Sequence, residues 1–120
     1  MKVKRDYVTF LEDIIECASK IDTYTEDFLE ADFLADEKTK DAVIVRIQII
    51  GEAAKNLSAD FKRQYKNIDW KRSVKLRNIF IHHYFGINAK KLWHTAKVQI
   101  PDLKDKIEKI LEDLKIKKLI

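Results

Sequence analysis

Residues that break regular structure are scarce in this chain of 120 residues, which has only two glycines and one proline. A sandwich or barrel of many short strands needs turn residues far more often, so their scarcity favours long helices with short connections. Hydrophobic residues make up 46% of the sequence and charged residues 37%, which is the balance of a globular protein. The length fits one domain over residues 1–120 with a single, modest core.

Apolar residues recur at intervals of three and four along most of the chain, which is the period of an amphipathic helix. The pattern predicts long helices over residues 4–21, Glu37–Leu57 and from Trp70 to His82 or His83, a short helix after Ser58, and a last helical stretch interrupted by Pro101. The predicted N-caps are Thr25, Asp32, Ser58, Asp69 and Asn88. Four or five such helices predict an all-α, antiparallel up-and-down bundle.

The second long helix has two features that bear on packing. Its predicted buried side chains include Ile47, Ile49 and Ile50. Gly51 lies inside the same helix, where a glycine costs roughly 1 kcal/mol relative to alanine. It either marks the close approach of another helix or is tolerated without a role, and the sequence leaves both interpretations open.

Cysteine content and charge limit the cellular setting. The single cysteine, Cys17, forms neither an internal disulfide nor a metal-binding cysteine pair, which fits a reduced compartment. The basic N-terminus is not followed by an apolar signal core, and no apolar run is long enough to cross a bilayer. We therefore expect a cytoplasmic protein without membrane contact. The net charge of +4, with both signs interspersed along the chain, permits a polyanionic partner without requiring one.

The segment Leu76–Gly86, LRNIFIHHYFG, concentrates side chains that can do chemistry. Histidine exchanges protons near neutral pH, and arginine can hold a phosphate with two parallel hydrogen bonds. Asn78 and His82 are four residues apart and so share a helix face. Arg77 and His82 are five apart, about 140° around an ideal helix. They converge only if the long arginine reaches the helix end, or if two chains each contribute one set.

This constellation suits metal-free cleavage of RNA, in which a base takes the proton of a 2′-hydroxyl and a cation stabilises charge on the phosphate. The histidines show no zinc-ligand spacing, so we expect neither a metal nor another cofactor. A lone Arg-x4-His match often arises by chance. His83, His94, Cys17, Trp70 and Trp93 are better interpreted as core, interface or surface residues.

Three longer stretches make the pattern more specific. They are DAVIVRIQIIGEAAKNLS (Asp41–Ser58), IDWKRSVKLRNIFIHHYFGI (Ile68–Ile87) and LWHTAKVQIPDLKDKI (Leu92–Ile107). Over nearly its whole length the chain resembles the HepT-like branch of HEPN proteins. The family signature is an arginine, four to six residues, then a histidine that is often followed by x-Tyr. Arg77, His82 and Tyr84 match it.

The resemblance implies a HEPN-like bundle that forms a homodimer with a composite cleft. It implies a metal-independent endoribonuclease toxin with RNA as substrate, Arg77 and His82 as the catalytic pair, and Asn78 as a supporting residue. The implied partner is an MntA-type nucleotidyltransferase antitoxin that attaches AMP to Tyr84, where the bulky anion would block the cleft. An Arg-x5-His match through His83 is also open, but His82 places Tyr84 correctly.

Two other functions stay open on the sequence. The chain could be a non-catalytic, nucleotide-binding HEPN subunit that partners a small nucleotidyltransferase, because a charge of +4 is small for a strong RNA binder. It could also be a purely structural dimer that uses only its apolar helix faces. RNA cleavage that depends on His82 separates the ribonuclease from both.

Overall fold

The computed structural model describes residues 5–82 and 88–119, and within them it contains helices and no strand. The elements, in chain order, are α1 (Arg5–Thr25), α2 (Glu30–Ala35), α3 (Glu37–Asn56), α4 (Ala59–Gln64), α5 (Trp70–His82), α6 (Ala89–His94), a π-helical segment (Thr95–Gln99) and α7 (Ile100–Ile116). The predicted all-α class is confirmed, with four long helices and three short ones.

The long helices share one hydrophobic core. α3 packs between α1 and α5, and α1 also packs against α7. The largest fully buried side chains come from most of the elements: Leu11, Ile14, Ile21, Phe33, Ile47, Ile50, Phe80, Leu92, Ile107 and Leu114. Within α1, α3 and α7 these residues are spaced three and seven apart, which is the helical period that predicted the helices. The burial predicted for Ile49 is wrong, because its side chain is 37% exposed.

Side-chain caps fix where several helices begin. The predicted caps Ser58, Asp69 and Asn88 are confirmed: their side chains accept hydrogen bonds from the backbone N–H of Phe61, Arg72 and Lys91 respectively. Each bond satisfies one N–H that has no partner inside its helix. The start of α5, and with it the position of everything on that helix, is therefore set by Asp69.

Two predicted caps are wrong. Thr25 is the last residue of α1, and its hydroxyl donates to the carbonyl oxygen of Ile21. Asp32 lies inside α2, where its carboxylate accepts from the N–H of Leu29. Asp36 caps α3 instead, accepting from the N–H of Thr39. Acidic and hydroxyl residues are dense between residues 22 and 37, so composition alone does not single out the cap.

Pro101 interrupts the last helical stretch less than expected. It stands in the first turn of α7, and the backbone on both sides of it is helical. The chain before it stays helical by widening into a π-helical turn over Thr95–Gln99. None of the described helices combines the length and apolar character needed to span a bilayer.

Candidate functional site

The candidate catalytic residues lie on the C-terminal half of α5. The side chain of Arg77 is 22% exposed, and Asn78 beside it is exposed. His82 is the last residue given for α5, one helical turn after Asn78. The structure describes its backbone but not its side chain. His83 and Tyr84 also lie outside the described residues. The roles predicted for Arg77, Asn78, His82 and Tyr84 remain predictions.

Gly51 allows α3 and α5 to approach each other closely at Arg77. A Cβ atom built on Gly51 would lie 2.4 Å from the Cβ of Arg77 and 3.0 Å from the backbone oxygen of Ser73. Neither atom is the far end of a mobile side chain, so α5 would have to shift to admit one methyl group. The close-approach interpretation of Gly51 is confirmed, and the partner helix is the one that bears the candidate arginine.

Glu52, the residue after Gly51, forms an ion pair with the guanidinium of Arg77. Its Oε2 lies 3.3 Å from Nε of Arg77, and its side chain is 52% exposed. The ion pair lies on the Nε side of the group, whereas the two Nη atoms carry four of its five N–H donors. One edge of the guanidinium can therefore rest on the carboxylate while the other edge holds a phosphate with two hydrogen bonds.

The sequence pattern did not assign a role to Glu52. The residue follows Gly51 directly, so the position that permits close packing and the position that binds Arg77 are adjacent in the chain. A charged residue beside a glycine inside a helix is the signal that could have indicated it. Residue type alone could not, since the chain has 20 Asp and Glu residues.

Two substitutions separate packing from pairing at this contact. We expect Gly51→Ala to lower the free energy of unfolding by about 1–2 kcal/mol. Overpacking against atoms that cannot move aside falls in the upper part of the usual cost of about 1–3 kcal/mol, and alanine returns roughly 1 kcal/mol of helix propensity. Glu52→Gln removes only an exposed ion pair, worth at most about 1 kcal/mol. Urea unfolding of both variants, with Lys55→Ala as the exposed control on α3, measures the difference. Equal stability of Gly51→Ala and the wild-type protein would contradict the contact.

A separate cavity of about 340 Å³ lies between α3, α5 and α7. Its walls include Arg72, Ser73 and Leu76 of α5 and the capping residue Asp69, and Arg77 is not among its lining residues. On an ideal helix Arg72 and Leu76 point to a different side from Asn78. The candidate catalytic residues Arg77 and Asn78 therefore lie outside this cavity.

The other residues set aside in the sequence have ordinary structural roles. Trp70 is buried and its Nε1 donates to the carbonyl oxygen of Tyr65, and Trp93 packs on Phe33. Cys17 is buried and His94 is exposed. Within residues 5–82 and 88–119, no group of three His, Cys, Asp or Glu side chains is arranged to hold a metal ion.

Comparison with known proteins gives one family. A family model described as "Ribonuclease HepT-like" matches residues 14–110. A protein of Thermococcus cleftensis named "Probable ribonuclease HepT" is 44% identical over 108 residues, covering 90% of this chain and 98% of the relative.

Two relatives from Methanocaldococcus jannaschii have names that include RNase. One is 41% identical, covering 92% of each chain. The other, also named gamma-glutamylcyclotransferase, is 42% identical, covering 93% of this chain and 50% of the relative. No solved structure matches.

Proposed function

Because this chain belongs to the HepT-like ribonuclease family, we propose that it is a metal-independent endoribonuclease that cleaves RNA by attack of a 2′-hydroxyl. The observation that carries the proposal is the arginine at the family's signature position. Arg77 is partly exposed, forms an ion pair with Glu52 through Nε, and is positioned by the close approach of α3 and α5 at Gly51. A cation held in this way can bind a phosphodiester without reorganising, which is how charge in a transition state is best stabilised.

The proposed reaction needs two groups from the protein. The imidazole of His82 takes the proton of the 2′-hydroxyl, whose oxygen then attacks the adjacent phosphorus. The bond from phosphorus to the 5′-oxygen breaks, and the leaving oxygen takes a proton from water. The products are a 2′,3′-cyclic phosphate on one fragment and a 5′-hydroxyl on the other. Arg77 stabilises the charge on the phosphate, and Asn78 is a supporting donor on the same face.

We propose that the RNA-binding cleft lies where two copies of the chain meet. Val45 and Ile49 are four residues apart on α3, with exposed fractions of 49% and 37%, and Glu52 continues the same face one turn further on. Val45 and Ile49 thus form an exposed apolar pair close to Glu52, the ion-pair partner of Arg77. Such a pair favours contact with a second copy of the chain, which would cover it. A homodimer joined there would bring two Arg77 side chains near one another.

The biological setting belongs to the same proposal. The chain would act as the toxin of a toxin–antitoxin pair, with an MntA-type nucleotidyltransferase as the antitoxin. The attachment of AMP to Tyr84 would add a bulky anion near the signature residues and repel the phosphates of RNA.

The proposal is tested by RNA cleavage in EDTA. We expect purified wild-type protein to cleave single-stranded RNA in EDTA, and His82→Ala to lose about 100-fold or more of that rate, as general acid–base catalysis typically contributes. His83→Ala is the matched control and should retain most of the activity. Equal cleavage by wild type and His82→Ala would remove the assignment of the base.

A further inference from the structure

Positive charge is concentrated in one part of the chain. Residues 59–100 contain ten lysines and arginines but only two acidic residues, a net charge of +8, whereas the whole chain has +4. The remainder is therefore net acidic. The interspersed pattern holds only as an average over the whole chain, and the region of excess charge includes α4 and α5.

The structure gathers several of these cations around a groove between α4 and the start of α5. The groove has a volume of about 710 Å³, and Lys62, Lys66 and Lys71 lie along it. Arg63 also lines it but is paired with Asp60. Of the two acidic residues in the region, Asp69 lies in the groove, and its carboxylate accepts a hydrogen bond from the N–H of Arg72. The groove is thus strongly positive.

The ammonium of Lys62 is partly removed from water. Burial lowers the pKa of Lys62, since the charged form loses hydration that no neighbouring group replaces. An anion in contact with Lys62 would replace the stabilisation that the ammonium loses when water is excluded from it. This side chain therefore gains more from an anionic ligand than a fully hydrated surface lysine would.

The exposed side of α5 continues the line of cations toward the candidate catalytic residues. Lys71, Lys75 and Asn78 are all exposed and follow one another at four and three residues, so they share one face of the helix. The next position on that face is residue 82, at the end of α5. From residue 71 to residue 82 the helix rises about 16 Å.

We propose that Lys62, Lys66, Lys71 and Lys75 form a docking track for the backbone of single-stranded RNA, leading from the groove at the start of α5 to the cleavage site at its end. The proposal rests on the proposed ribonuclease function and adds a binding surface to it. A line of cations along one helix fits the linear charge of a polynucleotide. The large apolar side chains of the groove, Ile68 and Trp70, are 4% and 6% exposed, so they offer little surface to a bilayer or an apolar protein partner.

The test replaces all four lysines with glutamine. Its control replaces Lys104, Lys106, Lys109 and Lys115 of α7, which removes the same charge elsewhere. We expect the track variant to raise KM for a 20-nucleotide RNA at least tenfold while kcat, and cleavage of a dinucleotide, change less than twofold. The slope of log affinity against log salt should become shallower by about 2–3, from roughly 0.7 for each phosphate contact on a single strand.

A separate measurement of RNA binding distinguishes failure of the docking track from failure of the proposed ribonuclease function. It is measured with the 20-nucleotide RNA on His82→Ala protein, so it does not need catalysis. Equal RNA affinity and equal salt slopes in the track and control variants would overturn the track even if the wild-type protein cleaves RNA. Loss of binding to a nucleotidyltransferase protein, with RNA affinity unchanged, would also overturn it. Loss of RNA affinity in the track variant alone would support it even if no cleavage is detected.

Discussion

Replacing Arg77 with alanine should lower the rate of RNA cleavage by about 100- to 1,000-fold, as the removal of one preorganised donor to a developing oxyanion does in other enzymes. The fold should survive, because Arg77 is partly exposed and its ion-pair partner Glu52 stays in contact with water. Arg77→Lys should recover only part of the rate, since an ammonium keeps the charge but cannot form the planar fork.

Arg72→Ala is the matched control for that measurement. Arg72 is an exposed arginine of the same helix, but it lies beside the cavity on another side of α5. The two variants lose the same charge, so any general electrostatic effect on RNA binding is shared. A fall in rate confined to Arg77→Ala supports the role of this guanidinium, whereas equal losses in both variants would contradict it.

The second large effect concerns assembly. The double substitution of Val45 and Ile49 by lysine should convert the proposed dimer to a monomer and lower cleavage by at least about 100-fold, because each proposed site would lose the second copy that completes it. Two charges placed at the centre of an apolar contact would have to be desolvated without partners. Analytical ultracentrifugation gives the mass, and a cleavage assay gives the rate.

Val98 provides the control for this surface. It is also exposed, at 53%, but lies in the π-helical segment rather than on α3. Val98→Lys should leave the wild-type mass and rate in place. A double variant on α3 that remains dimeric and active would place the subunit contact elsewhere.

The sequence predicted most of the fold because local physics determined it. α5 begins directly after Asp69, whose side chain caps it, and the described part of the helix runs to His82, in agreement with a predicted end at His82 or His83. Ser58 and Asn88 gave equally clear starts. The cap of α3 was missed because Thr25, Asp32 and Asp36 all suit the role by type, and only the course of the backbone distinguishes them.

The site was less predictable because it depends on contacts between helices. Arg77 could be selected from its place in a signature, but its pairing with Glu52 spans 25 positions of sequence. Isoleucine is a residue type common in protein cores, and the apolar face of α3 is so wide that its periodicity also included Ile49. In the structure Ile49 is exposed. The basic track was hidden in the average charge, since Lys62 and Lys75 belong to different helices that meet only in the folded chain.

The central claim is that the 2′-hydroxyl of RNA is the nucleophile, and the product ends test it most directly. The wild-type protein in EDTA should release fragments with a 2′,3′-cyclic phosphate and a 5′-hydroxyl, and a 2′-O-methyl group at the cleaved nucleotide should abolish the cut. Fragments with a 5′-phosphate, or undiminished cleavage of the 2′-O-methyl RNA, would contradict the account.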